Sequence, residues 1–94
     1  MATVKLLPAA VEDLQRLGAF LRGKSTIAAD RVSHLLERAL GQLGRHPGFG
    51  RVLDDHPPYR EVPVPFGAGG YVIRYRLVNR EVIVVRVWHA REQR

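Results

Sequence analysis

The chain of 94 residues contains no cysteine, which excludes disulfide bonds and thiolate metal sites. It also has no apolar run near the roughly 20 residues that cross a bilayer, and its first residues do not resemble a secretion signal. Hydrophobic residues make up 46%, a normal share for one folded domain, which we expect to span residues 1–94. These features predict a cytoplasmic protein without membrane contact.

The sequence motifs of several common enzyme classes are missing as well. Neither a glycine-rich phosphate loop of the GxxxxGK[ST] type nor an HExxH motif occurs. The two serines of the chain, Ser25 and Ser33, do not lie in a nucleophile elbow. Because the four histidines are scattered along the chain, we expect no metal site, and no cofactor.

Acidic residues are scarce relative to basic ones. Fifteen lysines and arginines stand against nine acids, which gives a net charge of +6. The excess is largest at the C-terminal end, where many arginines follow Arg60 and acids are few. Such a surplus favours nucleic acid, an acidic protein or an acidic peptide as partner, and a role in solubility alone is the alternative.

The first part of the chain has the pattern of a strand followed by a helix. Residues 3–7 alternate between polar and apolar, as in a short strand. A proline at the first helical position and apolar residues at helical spacing then predict a helix over residues 8–22. We expect Glu12 and Asp13 to complement the dipole of its first turn.

A second, longer helix follows closely. Ser25 or Thr26 can cap its start, one apolar stripe runs along it, and Gly44 and Pro47 end it. Two helices joined by so short a link should form an antiparallel hairpin.

The remaining chain has the pattern of a loop and three strands. Residues 44–58 are rich in glycine and proline and are predicted to be loop. Val62, Val64 and Phe66 then alternate with prolines, which suits an edge strand, and two Val- and Arg-rich strands follow. The predicted class is α+β: an N-terminal strand, a helical hairpin, and a three-strand antiparallel meander that completes one sheet.

The register of the last two strands decides which side chains face outward. A two-residue turn at Asn79 and Arg80 would place Arg86 in the core. A connection from Asn79 to Glu81 keeps Arg86 outside, opposite Arg74, and we predict this register because it buries no charge. The side chains that it turns inward are Ile73, Tyr75 and Leu77 on one strand and Ile83, Val85 and Val87 on the other. The outer face then carries Arg74, Arg76 and Arg86, with His89 and Arg91 at its end.

This face has the groups that RNA cleavage without a metal requires. Attack by the RNA's own 2′-hydroxyl needs a base, cations around the phosphorane and an acid for the leaving oxygen. The arginines supply charge, and the candidates for proton transfer are Tyr59, Tyr71, His89 and Glu92. A binding surface without chemistry is the alternative. Trp88 could stack on a nucleobase, insert into a protein partner, or cover the edge of the core.

Four segments resemble the RelE/ParE superfamily of type II toxin–antitoxin toxins, and the likeness covers essentially the whole chain. The segments are Pro8–Leu14, Arg60–Pro65, Tyr71–Tyr75 and Val85–Arg91. The resemblance implies a bacterial toxin that arrests growth until a cognate antitoxin binds it. In this superfamily the C-terminal segment of the antitoxin wraps the toxin, and its N-terminal part binds operator DNA.

The superfamily divides between two targets. RelE-like members cleave mRNA on the ribosome, and ParE-like members poison DNA gyrase. The Val-Trp-His-Ala-Arg ending looks more like the ParE branch, so a gyrase inhibitor that is not an enzyme is the favoured interpretation. A ribosome-dependent mRNA endoribonuclease, with Arg74, Arg86 and His89 as its catalytic candidates, and an inactive binding module are the alternatives. The residues expected to bind target or antitoxin are Arg60, Arg74, Arg76, Arg86, Trp88, His89 and Arg91.

Overall fold

The computed structural model describes residues 2–55 and 58–92. Its strands form one mixed sheet, and two helices pack on the inner face of this sheet. In the described residues, neither helix is long and apolar enough to cross a membrane. The helices are α1 (Pro8–Lys24) and α2 (Thr26–Arg45). The strands are β1 (Thr3–Leu6), β2 (Arg51–Val52), β3 (Tyr59–Phe66), β4 (Gly69–Val78) and β5 (Glu81–His89).

The strand order in the sheet is β1-β5-β4-β3-β2. β1 pairs with β5 in parallel, and the other neighbours are antiparallel. In the sequence, the helical hairpin separates β1 from the other strands. In the sheet, β1 lies beside β5, the last strand of the chain. The predicted fold class is therefore confirmed. The short β2 was missed, because two residues inside a glycine- and proline-rich segment carry no periodic signal.

The two helices form the predicted hairpin with a single residue between them. Ser25 links them, and its hydroxyl accepts a hydrogen bond of 3.1 Å from the N–H of Ala28, which caps α2. α1 continues two residues past the predicted end, to Lys24, and α2 ends at Arg45. Acidic residues are absent from the first turn of α1, so the dipole role expected of Glu12 and Asp13 is wrong.

The core lies between the apolar stripes of the helices and the inner face of the sheet. Fully buried positions include Leu43, Ile73 and Val84, and each such side chain stabilises the fold by about 1.5–3 kcal/mol. The helices contribute Ala10, Leu17, Val32, Leu36 and Leu43, and the sheet contributes Val62, Val64, Tyr71, Ile73, Tyr75, Val82, Val84 and Val87.

The hairpin between β4 and β5 differs from the predicted register. Asn79 and Arg80 have φ values of 50° and 66° and form the two-residue turn, which pairs Val78 with Glu81. A bulge then shifts the register, so that Val85 has no partner in the pairing of the two strands. The inner residues of β5 are consequently Val82, Val84 and Val87.

One part of the register prediction is confirmed. Arg74 lies opposite Arg86, as predicted. The two-residue turn alone would turn Arg86 inward, but the extra residue of the bulge turns it back to the outer face. The predicted register requires two regular strands. A bulge in a run of valines gives no signal in the sequence.

Tyr75 fixes the connection between α2 and β3. Its buried hydroxyl donates to the carbonyl of Pro47 at 2.7 Å and accepts from the N–H of Gly50 at 2.8 Å. A Cβ atom at Gly50 would lie 2.6 Å from this hydroxyl, so only glycine fits there. Arg60 adds hydrogen bonds to the carbonyls of Gly48 and Gly50, at 3.2 and 2.8 Å.

We expect Tyr75→Phe to lower the free energy of unfolding by about 2 kcal/mol, because it leaves a buried N–H and a carbonyl without their partner. Urea denaturation measures this change. Tyr59→Phe is the matched control, since the Tyr59 hydroxyl makes no hydrogen bond within the described residues, and its effect should stay within about 0.5 kcal/mol. Equal losses in both variants would contradict the role given to Tyr75.

Candidate functional site

Asp13 joins α1 to the end of β5. Its Oδ2 atom accepts hydrogen bonds from Arg86 Nε at 2.8 Å and from the N–H of Val87 at 2.9 Å, and Oδ1 accepts from Arg86 Nη2 at 3.0 Å. The pairing of β1 with β5 ends at Leu6 and Val84. The carboxylate therefore satisfies a backbone N–H that β1 does not reach.

The Asp13 carboxylate is ionised despite being only 4% exposed. Burial alone would raise its pKa, but the hydrogen bonds from Arg86 and Val87 and the positive charge of Arg86 outweigh burial and hold the pKa below its usual value. Arg16 extends the network, with Nη2 3.4 Å from Asp13 Oδ1 and Nη1 2.9 Å from Glu92 Oε1. Hydrogen bonding to Glu92 is the main cause that raises the pKa of Arg16.

Arg74, on the neighbouring strand, is also matched by a carboxylate. Its Nε and Nη2 atoms lie 3.0 and 2.7 Å from Glu61 Oε2, and its guanidinium lies 5.1 Å from the centre of the Trp88 ring. Trp88 is 7% exposed, as expected of a ring that covers the edge of the core. The cross-strand pair of Arg74 and Arg86 is tolerated because each arginine has its own carboxylate.

Two further arginines of the predicted surface lie away from the end of β5. Arg60 holds the loop carbonyls described above. Arg76 lies opposite Ile83 and Tyr59, and its buried Nε makes no hydrogen bond with the described residues. The predicted face is thus partly a set of structural contacts.

An open groove lies where the C-terminal end of α1 meets the end of β5; we call it the terminal groove. Its volume is about 670 Å³. It is lined by Arg16, Leu17, Phe20, Leu21, Phe66, Tyr71, His89, Arg91 and Glu92. Four residues singled out from the sequence, Tyr71, His89, Arg91 and Glu92, meet here, and Tyr59 lies elsewhere. Sequence reasoning missed Arg16, Phe20 and Phe66, because no local spacing connects α1 and β3 with β5.

The ring of His89 is held on two sides. It meets the Tyr71 ring edge to face, with centres 5.2 Å apart, and its Nδ1 lies 3.1 Å from the N–H of Arg91. Because a backbone N–H can only donate, the neutral ring carries its proton on Nε2. Gly69 leaves room for that atom, since a Cβ there would lie 3.2 Å from it.

Tyr71 and Glu92 complete the polar part of the terminal groove. Burial, and then the negative charge of Glu92, raise the pKa of Tyr71, so its hydroxyl is protonated at neutral pH and is a weaker acid than that of a free tyrosine. Glu92 Oε1 accepts from the N–H of His89 at 3.3 Å. Nowhere in residues 2–55 and 58–92 do three or more His, Asp or Glu side chains gather as a metal site would require.

The family match and the two relatives described next, together with the fold, place the chain among the toxins of the RelE/ParE superfamily. The model of the ParE toxin family of type II toxin–antitoxin systems (parDE) matches residues 4–94, and the chain belongs to this family. The toxin RelE1 of Caulobacter vibrioides is 44% identical over 92 residues, which are 98% of this chain and 97% of that toxin. The toxin RelE3 of the same organism is 37% identical over the full length of both chains.

A solved structure with the same fold is the intact E. coli RelBE toxin–antitoxin complex. One of its chains aligns with a TM-score of 0.63 and 14% identity, and the match covers 100% of both chains. At this identity the likeness shows the fold alone.

We expect Asp13→Asn to lower the free energy of unfolding at pH 7 by about 2 kcal/mol, because it removes a charged acceptor of hydrogen bonds from Arg86, Val87 and Arg16. Since the folded pKa of Asp13 is depressed, its contribution is present above the unfolded value, near 4, and is lost as the pH falls through the folded pKa. Urea denaturation at pH 7 and pH 3 should therefore show a smaller difference at pH 3.

Glu12→Gln is the control for Asp13→Asn, because it removes an exposed carboxylate one residue away. Its effect should remain within about 0.5 kcal/mol at both pH values. A difference for Asp13→Asn that is equally large at pH 3 would show that the ionised carboxylate is not what stabilises the fold.

Proposed function

We propose that this toxin arrests bacterial growth by cleaving mRNA on the ribosome, and that a cognate antitoxin keeps it inactive. The terminal groove carries the proposal, because it brings His89, Tyr71, Glu92 and two arginines around an apolar floor. The RelE names of the two similar Caulobacter toxins support it. Operator DNA would be reached only through the antitoxin.

The proposed reaction assigns one role to each polar side chain of the groove. Glu92 takes the proton of the 2′-hydroxyl, whose oxygen bonds to phosphorus while the bond to the 5′-oxygen breaks. Tyr71 gives its proton to the leaving 5′-oxygen, a far stronger base than a phenolate, and a 2′,3′-cyclic phosphate remains. His89 Nε2–H and Arg91 donate to the negative charge that develops on the phosphorane, and Arg16 orients Glu92 through their ion pair.

The catalytic candidates Arg74 and Arg86 receive supporting roles in this proposal. Their guanidinium groups bind Glu61 and Asp13. Because Asp13 also binds the N–H of Val87, the pair holds β5 two residues before His89. We therefore regard Arg86 as a positioning residue.

Inhibition of DNA gyrase is the second candidate function, and the ParE family match favours it. On this alternative the terminal groove binds the target and no bond is cleaved. The two functions make opposite predictions for a Tyr71→Phe variant. mRNA cleavage should be lost with the hydroxyl that donates the proton, whereas gyrase inhibition should persist because the groove keeps its shape.

Primer extension on a translated message tests the proposal with purified, antitoxin-free protein. The wild type should give codon-phased cuts. Tyr71→Phe should slow cutting about 100-fold or more, the usual loss on removing a proton-transfer group, and His89→Ala should slow it by about as much, because it removes a donor to the developing charge. Arg80→Gln, in the exposed turn between β4 and β5, is the control and should cut at the wild-type rate.

A supercoiling assay with DNA gyrase runs in parallel. Inhibition of gyrase without any mRNA cuts would contradict the proposal and establish the second function. Cuts that persist unchanged in both groove variants would instead contradict the assignment of the site.

A further inference from the structure

A line of basic side chains runs along one side of α2. Arg31, His34, Arg38 and Arg45 recur at intervals of three, four and seven residues, which places them on one helical face. With a rise of 1.5 Å per residue, Arg31 and Arg45 are separated by about 21 Å along the helix axis. We call this line the α2 stripe.

The arginines of the α2 stripe differ from Arg74 and Arg86 in having no carboxylate partner in the described residues. Arg31, Arg38 and Arg45 form no ion pair or hydrogen bond with any side chain in the described part of the protein, and all are exposed. Arg74 and Arg86, by contrast, are matched by carboxylates. In the described residues, Arg31, Arg38 and Arg45 therefore have no carboxylate partner that a bound phosphate would have to displace.

The stripe forms one wall of a groove that β3 closes on the other side. Two adjoining depressions of about 500 and 550 Å³ share Leu35, Arg38 and Pro65 and together follow the length of α2. Phe49 lines one end and is 58% exposed. The α2 groove thus combines a row of cations with an exposed aromatic ring at one end and a single carboxylate, Asp30, at the other.

The β3 wall indicates which kind of polyanion fits. Pro63 and Pro65 lie in the part of β3 that extends past its two-residue pairing with β2, and neither has an N–H to donate. An acidic peptide that added a strand here would find few backbone donors. A nucleic-acid backbone can take its donors from side chains alone, and guanidinium groups bind phosphate in bidentate fashion. The exposed ring of Phe49 can in addition stack on a base.

We propose that the α2 groove binds the phosphodiester backbone of nucleic acid, as a second contact separate from the terminal groove. The α2 stripe supplies the phosphate contacts, and Phe49 supplies a stacking surface. This contact orients the toxin on a nucleic-acid-bearing target and involves no bond cleavage.

Fluorescence anisotropy with a labelled 20-nucleotide RNA and a labelled DNA duplex, over a series of KCl concentrations, tests this contact. The variant Arg31→Gln/Arg38→Gln/Arg45→Gln should raise the Kd about 10-fold or more and make the salt slope for the RNA shallower by about 2. The control Arg22→Gln/Lys24→Gln/Arg80→Gln removes the same charge from elsewhere, and its Kd should change less than about 3-fold. Binding of either nucleic acid that depends on the stripe supports the proposal.

Two results would overturn it. Equal weakening in the stripe and control variants would mean that net charge alone attracts the nucleic acid. Wild-type affinity of the stripe variant for both nucleic acids, with loss of binding to a poly-glutamate peptide, would make the α2 groove a protein-binding site. Anisotropy does not depend on cleavage. An absence of mRNA cuts would therefore contradict the proposed function without affecting the comparison of Kd values between the stripe and control variants.

Discussion

The carboxylate of Asp13 is the contact on which the end of the sheet depends. β1 pairs with β5 only as far as Val84, and beyond that point a buried backbone N–H needs another acceptor. Asp13 provides it from α1 and at the same time holds the guanidinium of Arg86. A carboxylate so buried is tolerated only because its charge is matched, so the helix, the arginine and the strand end are fixed together.

The position of the terminal groove follows from that contact. Val87 is two residues from His89, and the Arg16 side chain that touches Asp13 also reaches Glu92. The groove is therefore built by the same ion pairs that close the end of the sheet. Arginines in this small protein serve as structural residues where a larger protein would bury more apolar surface.

The sequence was sufficient to predict the helices, the main strands and the fold class, because each has a strong periodic signal in its apolar residues. It was not sufficient for the register of β5, since the bulge at Val85 is invisible in a run of valines. Asp13 was predicted to serve the helix dipole, and its partner 73 residues away has no local signature. The candidate site was predicted for its C-terminal half only: His89 and Arg91 follow from one strand end, whereas Phe20 and Phe66 come from distant elements.

The internal ion pairs also limit the ability of Arg74 and Arg86 to bind an external anion. Their number first indicated an anion-binding face, but a cation that is already paired by hydrogen bonds to a buried or half-buried carboxylate offers little to an external phosphate. Binding of an anion there would have to displace the internal carboxylate and leave it uncompensated, at a cost of several kcal/mol. Cations without internal partners incur no such cost. We therefore expect a polyanion to bind the side chains on α2 and around the terminal groove. Arg74 and Arg86 are prominent in the sequence but are occupied by their internal carboxylates.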